Sequence, residues 1–338
     1  MKSFYILESE FDNYQKKVSH RVIDKSFIVK GCIDNKMSIL ALYKVKQILE
    51  DENRGSFYFI VPTLLLNQFM KIEAKEIGID IKSFTTIKTY KIYTTIQQEV
   101  DYIFLYLPFN CLLEDDVKLL QSRAKEGLFI YGDNCYLYND KKYLSMEEIA
   151  VLTKFPMEQL MFNHRLPKKI ARFAEYLEST GDSLEERCKN EGSELPKILK
   201  YDNLNKQLDA IIDIIKTRGY DDVGIFFPKN SDVEHAYNYF NNNGLNVEAK
   251  YNRFMNLDFS TNLPKLTTYH SSKGLQFEAV FLPDCKDIQE KDKNALYVAL
   301  TRSYQDLFIM FSDNLTSFFN DIPEDLYETS LVTEDIDW

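Results

Sequence analysis

The chain has 338 residues, of which 45% are hydrophobic and 28% charged, and its net charge is -11. This length allows two domains of ordinary size. The acidic balance argues against a compact basic DNA-binding module, although a local groove can still be basic. No apolar run approaches the ~20 residues of a membrane span, and acids stand where a signal peptide is apolar, so we expect a cytosolic protein without membrane contacts.

The first half alternates apolar runs with a helical pattern. Residues 37–52 have apolar side chains at helical spacing. Runs rich in Ile, Val, Phe and Tyr predict buried strands at residues 26–31, 56–62, 101–108 and 127–133. Strands that alternate with helices predict a parallel sheet with both faces covered.

The second half repeats this alternation. Its apolar runs predict strands at 221–230, 278–284 and 306–312, and its periodic segments predict helices at 231–244 and 291–304. Ser231 or Asp232 is the expected N-cap of the first helix and Gly244 its C-cap. The polar segment 178–200 predicts a loop, and the acidic segment from 321 a tail with a short helix. We therefore expect two α/β domains, residues 1–155 and 156–338.

Neither the cysteines nor the basic residues indicate a site by themselves. The five cysteines are scattered and form no CxxC pair, and only four histidines are present, so we expect buried free thiols and no metal site. The most basic segment, residues 163–172, fits a solvated helix face or a phosphate contact.

Residues 31–40, GCIDNKMSIL, lie between a predicted strand and a predicted helix, where a phosphate-binding loop of the form GxxxxGK[ST] would stand. Gly31 and Ser38 fit the first glycine and the magnesium-binding hydroxyl. Lys36 stands in the second glycine position and Met37 in the lysine position, while Asp34 adds a negative charge. Since methionine cannot offset phosphate charge, the loop has lost its anchor.

Two downstream segments decide how this loop is interpreted. Residues 266–284, LTTYHSSKGLQFEAVFLPD, resemble motif V of the superfamily 1 helicases of the UvrD/Rep/PcrA type, and residues 294–310, NALYVALTRSYQDLFIM, resemble motif VI. The two matches occur in the family's order with a predicted strand between them. This agreement is specific, and the rest of the chain then aligns in the same order.

Further segments resemble the remaining family motifs. Gln15 precedes Gly31 by the spacing of the adenine-reading glutamine. Residues 31–42 resemble the phosphate loop, 59–66 motif Ia, 101–110 the place of motif II, 130–138 motif III and 160–174 motif IV. The resemblance implies two RecA-like, P-loop NTPase-type domains with parallel sheets flanked by helices. Because the spacings between motifs are short, the inserted subdomains of full-length helicases are expected to be missing.

The departures from the family pattern are concentrated at the nucleotide site. Tyr106 and Leu107 replace the magnesium-binding aspartate and the glutamate base, Tyr136 replaces the glutamine of motif III, and Gln276 replaces the glutamate of motif V. The matching positions are Gln15, Gly31, Ser38, Asp133, Arg165, His270, Lys273, Gly274 and Arg302. Arg302 corresponds to the arginine finger of the family. Arg165 and Arg302 either face a phosphate or form salt bridges at the domain interface.

The resemblance also implies candidate ligand sites. The residues for a nucleotide are Gln15, Gly31, Ser38, Arg165, Gly274 and Arg302, of which Ser38, Arg165 and Arg302 are vestiges of a catalytic set. ATP with magnesium would bind weakly at most. The residues for single-stranded DNA are Pro62, Thr63, Thr85, Tyr136, Thr268 and His270.

Three functions remain open. The first is a helicase-like protein that does not hydrolyse ATP on its own and binds single-stranded DNA as an accessory subunit, with a nuclease or helicase as partner. The second is an active ATP-dependent helicase or translocase with an atypical or partner-completed ATP site. The third is a protein-interaction scaffold without either ligand. Loss of the lysine, the aspartate and the glutamate together favours the first.

Overall fold

In a computed structural model, two compact units make up the chain, one formed by residues 3–163 and the other mainly by residues 164–338. The structure describes residues 7–23, 25–31, 36–50, 55–93, 99–134, 143–177, 183–192, 194–252 and 254–331. No helix in these ranges is both long enough and apolar enough to cross a membrane.

A six-stranded parallel sheet forms the first unit. Its strands are β1 (Phe27–Lys30), β2 (Phe57–Val61), β3 (Phe84–Thr86), β4 (Val100–Leu107), β5 (Ala124–Gly132) and β6 (Met157–Gln159), in the spatial order β3-β2-β4-β5-β1-β6. Its helices are α1 (Asn13–Ser19), α2 (Met37–Glu50), α3 (Leu64–Glu76), α4 (Ile87–Tyr93), α5 (Glu114–Arg123) and α6 (Met146–Thr153).

Helices cover both faces of this sheet. Right-handed crossovers place α2 and α3 on one face and α4, α5 and α6 on the other, because the chain moves outward to β3 and then returns past β1 to β6. Tyr90, Val117 and Ile149 of α4, α5 and α6 belong to one buried cluster with sheet residues such as Ile28 and Ile103. Burial on both faces explains the continuous apolar runs in the sequence.

A buried lysine joins α1 to α2. The Lys44 ammonium donates to the carbonyl oxygen of Ser19 at 2.6 Å, to that of Arg21, and to Gln47 Oε1 at 2.9 Å. Burial lowers the pKa of Lys44 to about 8. These bonds satisfy carbonyl groups at the C-terminal end of α1, which its own helix leaves open.

The second unit contains a seven-stranded parallel sheet and a two-stranded one. The small sheet pairs β7 (Asn163–Pro167) with β8 (Cys188–Asn190). The large sheet has the order β11-β12-β10-β13-β14-β9-β15, with β9 (Lys197–Lys200), β10 (Val223–Phe227), β11 (Glu248–Ala249), β12 (Lys265–Thr268), β13 (Phe277–Leu282), β14 (Ser303–Phe311) and β15 (Glu328–Leu331). The helices are α7 (Lys168–Glu175), α8 (Leu184–Arg187), α9 (Leu204–Arg218), α10 (Asn230–Asn242) and α11 (Lys293–Leu300).

The core of the second unit lies between the large sheet and its helices. Ile211 of α9 and Phe240 of α10 are fully buried against Ile225 and Phe281 of the sheet. Cys188 and Cys285 are buried free thiols and Cys111 is a half-buried one, while Cys32 and Cys135 lie outside the described residues. The predicted α/β class with parallel sheets flanked by helices is confirmed.

Several local predictions need correction. Segment 178–200 is no simple loop, because its described part holds α8, β8 and β9, and β9 lies inside the large sheet. The acidic end contributes β15, which pairs with β9 in parallel. The predicted helix 291–304 ends at Leu300, since β14 begins at Ser303.

Cap and boundary positions also differ. Helix α10 starts at Asn230 with Lys229 as its N-cap, so the expected N-caps Ser231 and Asp232 lie within the helix. Its C-cap is Asn243, one residue before the expected Gly244. Gly244 adopts φ 79°, as expected for a residue that ends a helix. Strand β6 pairs with β1, so residues 157–159 belong to the first sheet although the predicted boundary lies at 155.

Asp222 predicts a pH-dependent stability. It is 4% exposed and its Oδ2 atom has no hydrogen-bond partner. Burial raises the pKa of Asp222 to about 7. The folded state therefore binds the proton of the Asp222 carboxyl more tightly than the unfolded state does. The stability that this bound proton contributes is lost as pH rises from about 4 to about 7.

When pH rises from about 5 to about 8, we expect the free energy of unfolding of the wild type to fall by on the order of 2 kcal/mol more than that of the Asp222→Asn variant. Urea unfolding at both pH values measures the difference. Asp221→Asn, at the exposed neighbouring carboxylate, is the control and should follow the wild type. Parallel pH profiles for the wild type and Asp222→Asn would contradict this account.

Candidate nucleotide and nucleic-acid sites

The lysine position of the phosphate loop is occupied by a buried methionine. Met37 is the first residue of α2 and is only 4% exposed, and Ser38 beside it is half-buried. Lys36 has φ 64°, a left-handed conformation that glycine adopts readily and lysine does not. The backbone thus keeps a glycine-type conformation at the second glycine position after the glycine itself has gone. Asp34 lies outside the described residues.

Gln15 and Gly31 have structural partners in the first unit. Gln15 is 1% exposed. Its side-chain Oε1 accepts from the backbone amide of Asp12 at 3.0 Å, and its backbone amide donates to Asp12 Oδ1 at 2.8 Å. This reciprocal capping box engages the carboxamide oxygen that would read adenine. The amide of Gly31 donates to the carbonyl of Gly132 at 3.0 Å and ties the end of β1 to β5.

The carboxyl ends of β4 and β5 carry the motif II and III positions. Leu107 is 2% exposed and Tyr106 is half-buried, so no carboxylate stands at the end of β4. Asp133 is 5% exposed, and its amide donates to the Leu107 carbonyl at 3.3 Å. Lys30, at the end of β1, forms an ion pair with Glu147 of α6.

These residues do not fit a magnesium nucleotide. Magnesium in such sites is held by a hydroxyl together with a carboxylate, and the phosphates need a lysine. The first unit supplies Ser38 but places Tyr106 at the carboxylate position and Met37 at the lysine position. Within the described ranges, no group of three His, Cys, Asp or Glu residues could hold a metal ion.

Arg302 is part of the core of the second unit. Its side chain is 4% exposed, and its three nitrogens donate within this unit: Nε to the Val298 carbonyl at 2.8 Å, Nη1 to the Leu275 carbonyl at 3.3 Å and Nη2 to Thr301 Oγ1 at 3.0 Å. The guanidinium therefore fastens α11 to Leu275 in the motif V segment. Charge-assisted bonds to buried carbonyls are strong. The Val298 carbonyl also accepts from Thr301 Oγ1 at 2.9 Å, so the bond to Leu275 is the one that Arg302 alone supplies among the described contacts.

The structure brings the other predicted residues of this unit close to Arg302. Half-buried Arg165 on β7 donates from Nη1 to Oε1 of Gln276, next to Leu275. Gly274 has φ 79°, which explains why glycine stands in this turn. Arg165 and Arg302 thus both bind the residues that directly follow Gly274.

The turn after β12 contains the two motif V candidates for nucleic acid. Thr268 is 7% exposed and its Oγ1 donates to Ser271 Oγ at 3.2 Å, so its role in the turn is structural. His270 is more accessible, and its Nε2 lies 3.4 Å from Asp292 Oδ1. Burial lowers the pKa of His270 although Asp292 acts in the opposite direction, so the ring is neutral near pH 7.

His270 opens onto a pocket of about 320 Å³ at the carboxyl edge of the large sheet. In parallel α/β sheets ligands bind at this edge. Helix α10 also begins there, without a side-chain cap for its first amide groups, and such groups attract anions. The pocket is lined by Pro228, Lys229, Asp232, Tyr269, His270, Lys286, Asp287, Ile288, Gln289, Lys291 and Asp292.

The lysines of this pocket differ in their pairing. Lys286 forms an ion pair with Asp284 at 2.6 Å. Lys229 and Lys291 are exposed and, among the residues that the structure describes, have no carboxylate partner. The sequence analysis did not predict any of these three lysines as site residues. They lie in different parts of the chain and come together only in the folded unit.

The basic segment 163–172 contributes less free charge than its composition suggests. Lys168 pairs with Glu191, Arg172 pairs with Glu185, and Arg165 binds Gln276. The ion pairs neutralise both cations within the second unit.

The remaining nucleic-acid candidates lie in the first unit. Pro62 and Thr63 follow β2 and Thr85 lies on the adjacent β3, so the parallel pairing places all three at one edge. Thr63 Oγ1 caps α3 by accepting from the Leu66 amide at 3.2 Å, and Thr85 is half-buried. Tyr136 lies outside the described residues.

Residues 266–310 match the family model of the UvrD-like helicase C-terminal domain. The chain carries a UvrD-like helicase segment. The predicted resemblance to superfamily 1 helicases of the UvrD type is confirmed. The segment contains both β12 with its His270 turn and the Arg302 cluster.

A curated relative matches this chain over a short region. The RecBCD enzyme subunit RecB of Chlamydia muridarum (strain MoPn / Nigg) is 44% identical over 55 residues, which are 15% of this chain. The match spans only 5% of the length of that protein.

Two solved helicase structures are similar in shape. The C-terminal domain of a possible DNA helicase from Lactobacillus plantarum WCFS1 has 16% identity and a TM-score of 0.39, covering 49% of this chain and 98% of that one. The PRRSV helicase has 14% identity and a TM-score of 0.46, covering 87% of this chain and 54% of that one. Values of this size carry no inference about function.

The left-handed backbone at Lys36 predicts a stabilising substitution. We expect Lys36→Gly to raise the free energy of unfolding by about 0.5–1 kcal/mol, because glycine adopts φ 64° without a steric penalty. Lys36→Ala removes the same side chain but keeps the penalty, so it should give no gain. Denaturant unfolding compares the three proteins. Equal stability of the Gly and Ala variants would show that the backbone conformation is not the cause.

The buried Arg302 predicts a large loss of stability. Replacing it by Met removes one of two donors to the Val298 carbonyl and leaves the Leu275 carbonyl without its donor, so we expect a loss of about 2–3 kcal/mol. Arg172→Met removes an exposed ion pair and should cost less than about 1 kcal/mol. Urea unfolding of both variants tests the difference. Similar small losses would mean that Arg302 does not hold the second unit together.

Proposed function

We propose that this UvrD-like protein does not hydrolyse ATP on its own and binds single-stranded DNA at the His270 pocket, as an accessory subunit of a DNA-processing assembly. The burial of Met37 carries the first part of this proposal. A methionine that is 4% exposed cannot offset phosphate charge, Tyr106 offers no carboxylate to magnesium, and Leu107 cannot act as a base. Without these groups the site lacks the electrostatic stabilisation that phosphoryl transfer needs.

The charge distribution around the pocket supports DNA binding. The whole chain has a net charge of -11, yet Lys229 and Lys291 are exposed at one edge without carboxylate partners among the described residues. Such lysines act as point charges for phosphates, and His270 adds a hydrogen-bonding group to the same pocket. Asp232, Asp287 and Asp292 also line the pocket, so the proposal depends on these two lysines and not on a net positive charge.

The curated relative supports the accessory role. That protein is named as a subunit of the RecBCD enzyme. From this name we infer only that the present chain also works within a complex. Its partner would be a nuclease or an intact helicase. An active helicase whose ATP site a partner completes is the second candidate, because Arg165 and Arg302 are retained next to motif V.

Binding of a fluorescein-labelled single-stranded oligonucleotide, followed by anisotropy, tests the DNA site. We expect affinity to fall steeply as salt rises from about 50 to about 200 mM. Lys229→Ala combined with Lys291→Ala should weaken binding about 5- to 10-fold and reduce the slope of log K against log salt by about 1.4, near 0.7 for each lost phosphate contact. Lys216→Ala, at an exposed lysine of α9, is the matched control and should bind like the wild type.

Phosphate release from ATP, with and without the oligonucleotide, tests the other part. We expect no turnover by the wild type. Met37→Lys should not create it, because the carboxylates of motif II are still missing, and the buried ammonium should lower the free energy of unfolding. Turnover by the wild type would favour the active-helicase alternative. If the wild type does not bind the oligonucleotide, the protein-interaction scaffold is the alternative that remains.

A further inference from the structure

The pocket beside His270 presents as many carboxylates as ammonium groups. Its lysines are Lys229, Lys286 and Lys291, and its aspartates are Asp232, Asp287 and Asp292. An ionised carboxylate only accepts hydrogen bonds, and it repels a phosphate. A ligand that fits this lining therefore carries hydrogen-bond donors of its own as well as negative charge.

The three aspartates differ in what they already bind. Asp287 Oδ1 accepts from the amide and the hydroxyl of Ser317, at 2.7 and 2.8 Å, and Asp292 Oδ1 lies 3.4 Å from His270 Nε2. Asp232 Oδ1, among the described residues, accepts from the hydroxyl of its chain neighbour at 3.1 Å. Because a carboxylate offers about four lone-pair sites, Asp232 keeps acceptor capacity for a ligand.

The charged groups also differ in depth. Asp232 stands in the first turn of α10 and is half-buried, whereas Lys229 and Lys291 are exposed. The carboxylate therefore lies deeper in the pocket than the two ammonium groups. The volume of about 320 Å³ is at the lower end of the ~300–1,000 Å³ that is usual for small-ligand sites, so the pocket has room for a small group and not for a folded strand.

We propose that the pocket takes one base of the single strand and that the Asp232 carboxylate accepts a hydrogen bond from its exocyclic amino group. This inference rests on the proposed DNA-binding function. Carboxylates accept from the N4 amino group of cytosine in known protein–DNA contacts. The corresponding O4 atom of thymine or uracil is an acceptor, which a carboxylate repels. The site therefore favours a base with an amino group over thymine.

This arrangement assigns the two kinds of charge to two parts of one nucleotide. The exposed ammonium groups of Lys229 and Lys291 contact phosphates, which are the same in every strand, and so determine the dependence of affinity on salt. The half-buried carboxylate contacts the base edge and so determines which base is preferred. The equal number of aspartates and lysines is then part of the recognition and does not oppose it.

The experiment compares the affinities of the full chain for oligodeoxycytidylate and oligodeoxyuridylate of equal length, at pH 8. The two strands have the same phosphates, and their bases differ in the amino group of cytosine and the carbonyl of uracil. We expect the wild type to bind the cytosine strand about 5- to 50-fold more tightly, because one good base contact has this effect. Both strands should give the same slope of affinity against salt.

Asp232→Asn tests the residue itself. An amide offers a donor as well as an acceptor, so we expect this variant to bind the two strands within about 2-fold of each other. Its binding of the uracil strand should be as tight as that of the wild type or tighter, because a negative charge has gone, and this binding also shows that the variant is folded. Asp213→Asn removes the same charge from the exposed face of α9 and should keep the preference of the wild type.

The outcomes separate this inference from the function on which it rests. Equal binding of both strands by the wild type, with the loss expected for the double lysine variant, overturns the base contact and leaves the DNA site. A cytosine preference that Asp232→Asn retains overturns the role of Asp232. If the wild type binds neither strand, the DNA site and the base contact are both overturned.

Discussion

Parallel pairing is the constraint on which the rest of the molecule depends. Among the described residues, the strand pairs of both large sheets are parallel. Each connection must then cross a face of its sheet, which buries the strands on both sides and gathers the loops that follow them at one edge. The cluster around Arg302 and the pocket of His270 both form in such loops of the second unit, although their residues are far apart in the chain.

The same constraint sets what could be predicted from sequence. Strands with both faces buried, such as β4 and β13, have continuous apolar runs and were predictable. Strand β9 reads KILK and β15 reads ETSL, and neither has such a run. Their strand state comes from pairing with each other and with β14, and this long-range register leaves little trace in a local pattern. Segment 178–200 was mispredicted for this reason.

The candidate sites show a similar division. The loss of lysine and carboxylates at positions 37, 106 and 107 could be inferred because the motif spacing fixes those positions. The role of Arg302 could not, since it binds the carbonyl of Leu275, which any residue would supply. Motif similarity indicates where a side chain stands in the chain, whereas its partners decide whether it contacts a ligand or stabilises its own domain. Lys229 and Lys291 belong to no motif and come together only at the shared edge.

Met37 has a consequence for the history of the site. Once an apolar side chain has packed at the start of α2, at 4% exposure, stability and phosphate binding oppose each other at that position. A lysine at this position would place an ammonium group where the side chain is buried. Under the proposed function, Met37→Lys would therefore lower stability before the missing carboxylates could make the new charge useful, and a return to phosphate binding would need several changes together.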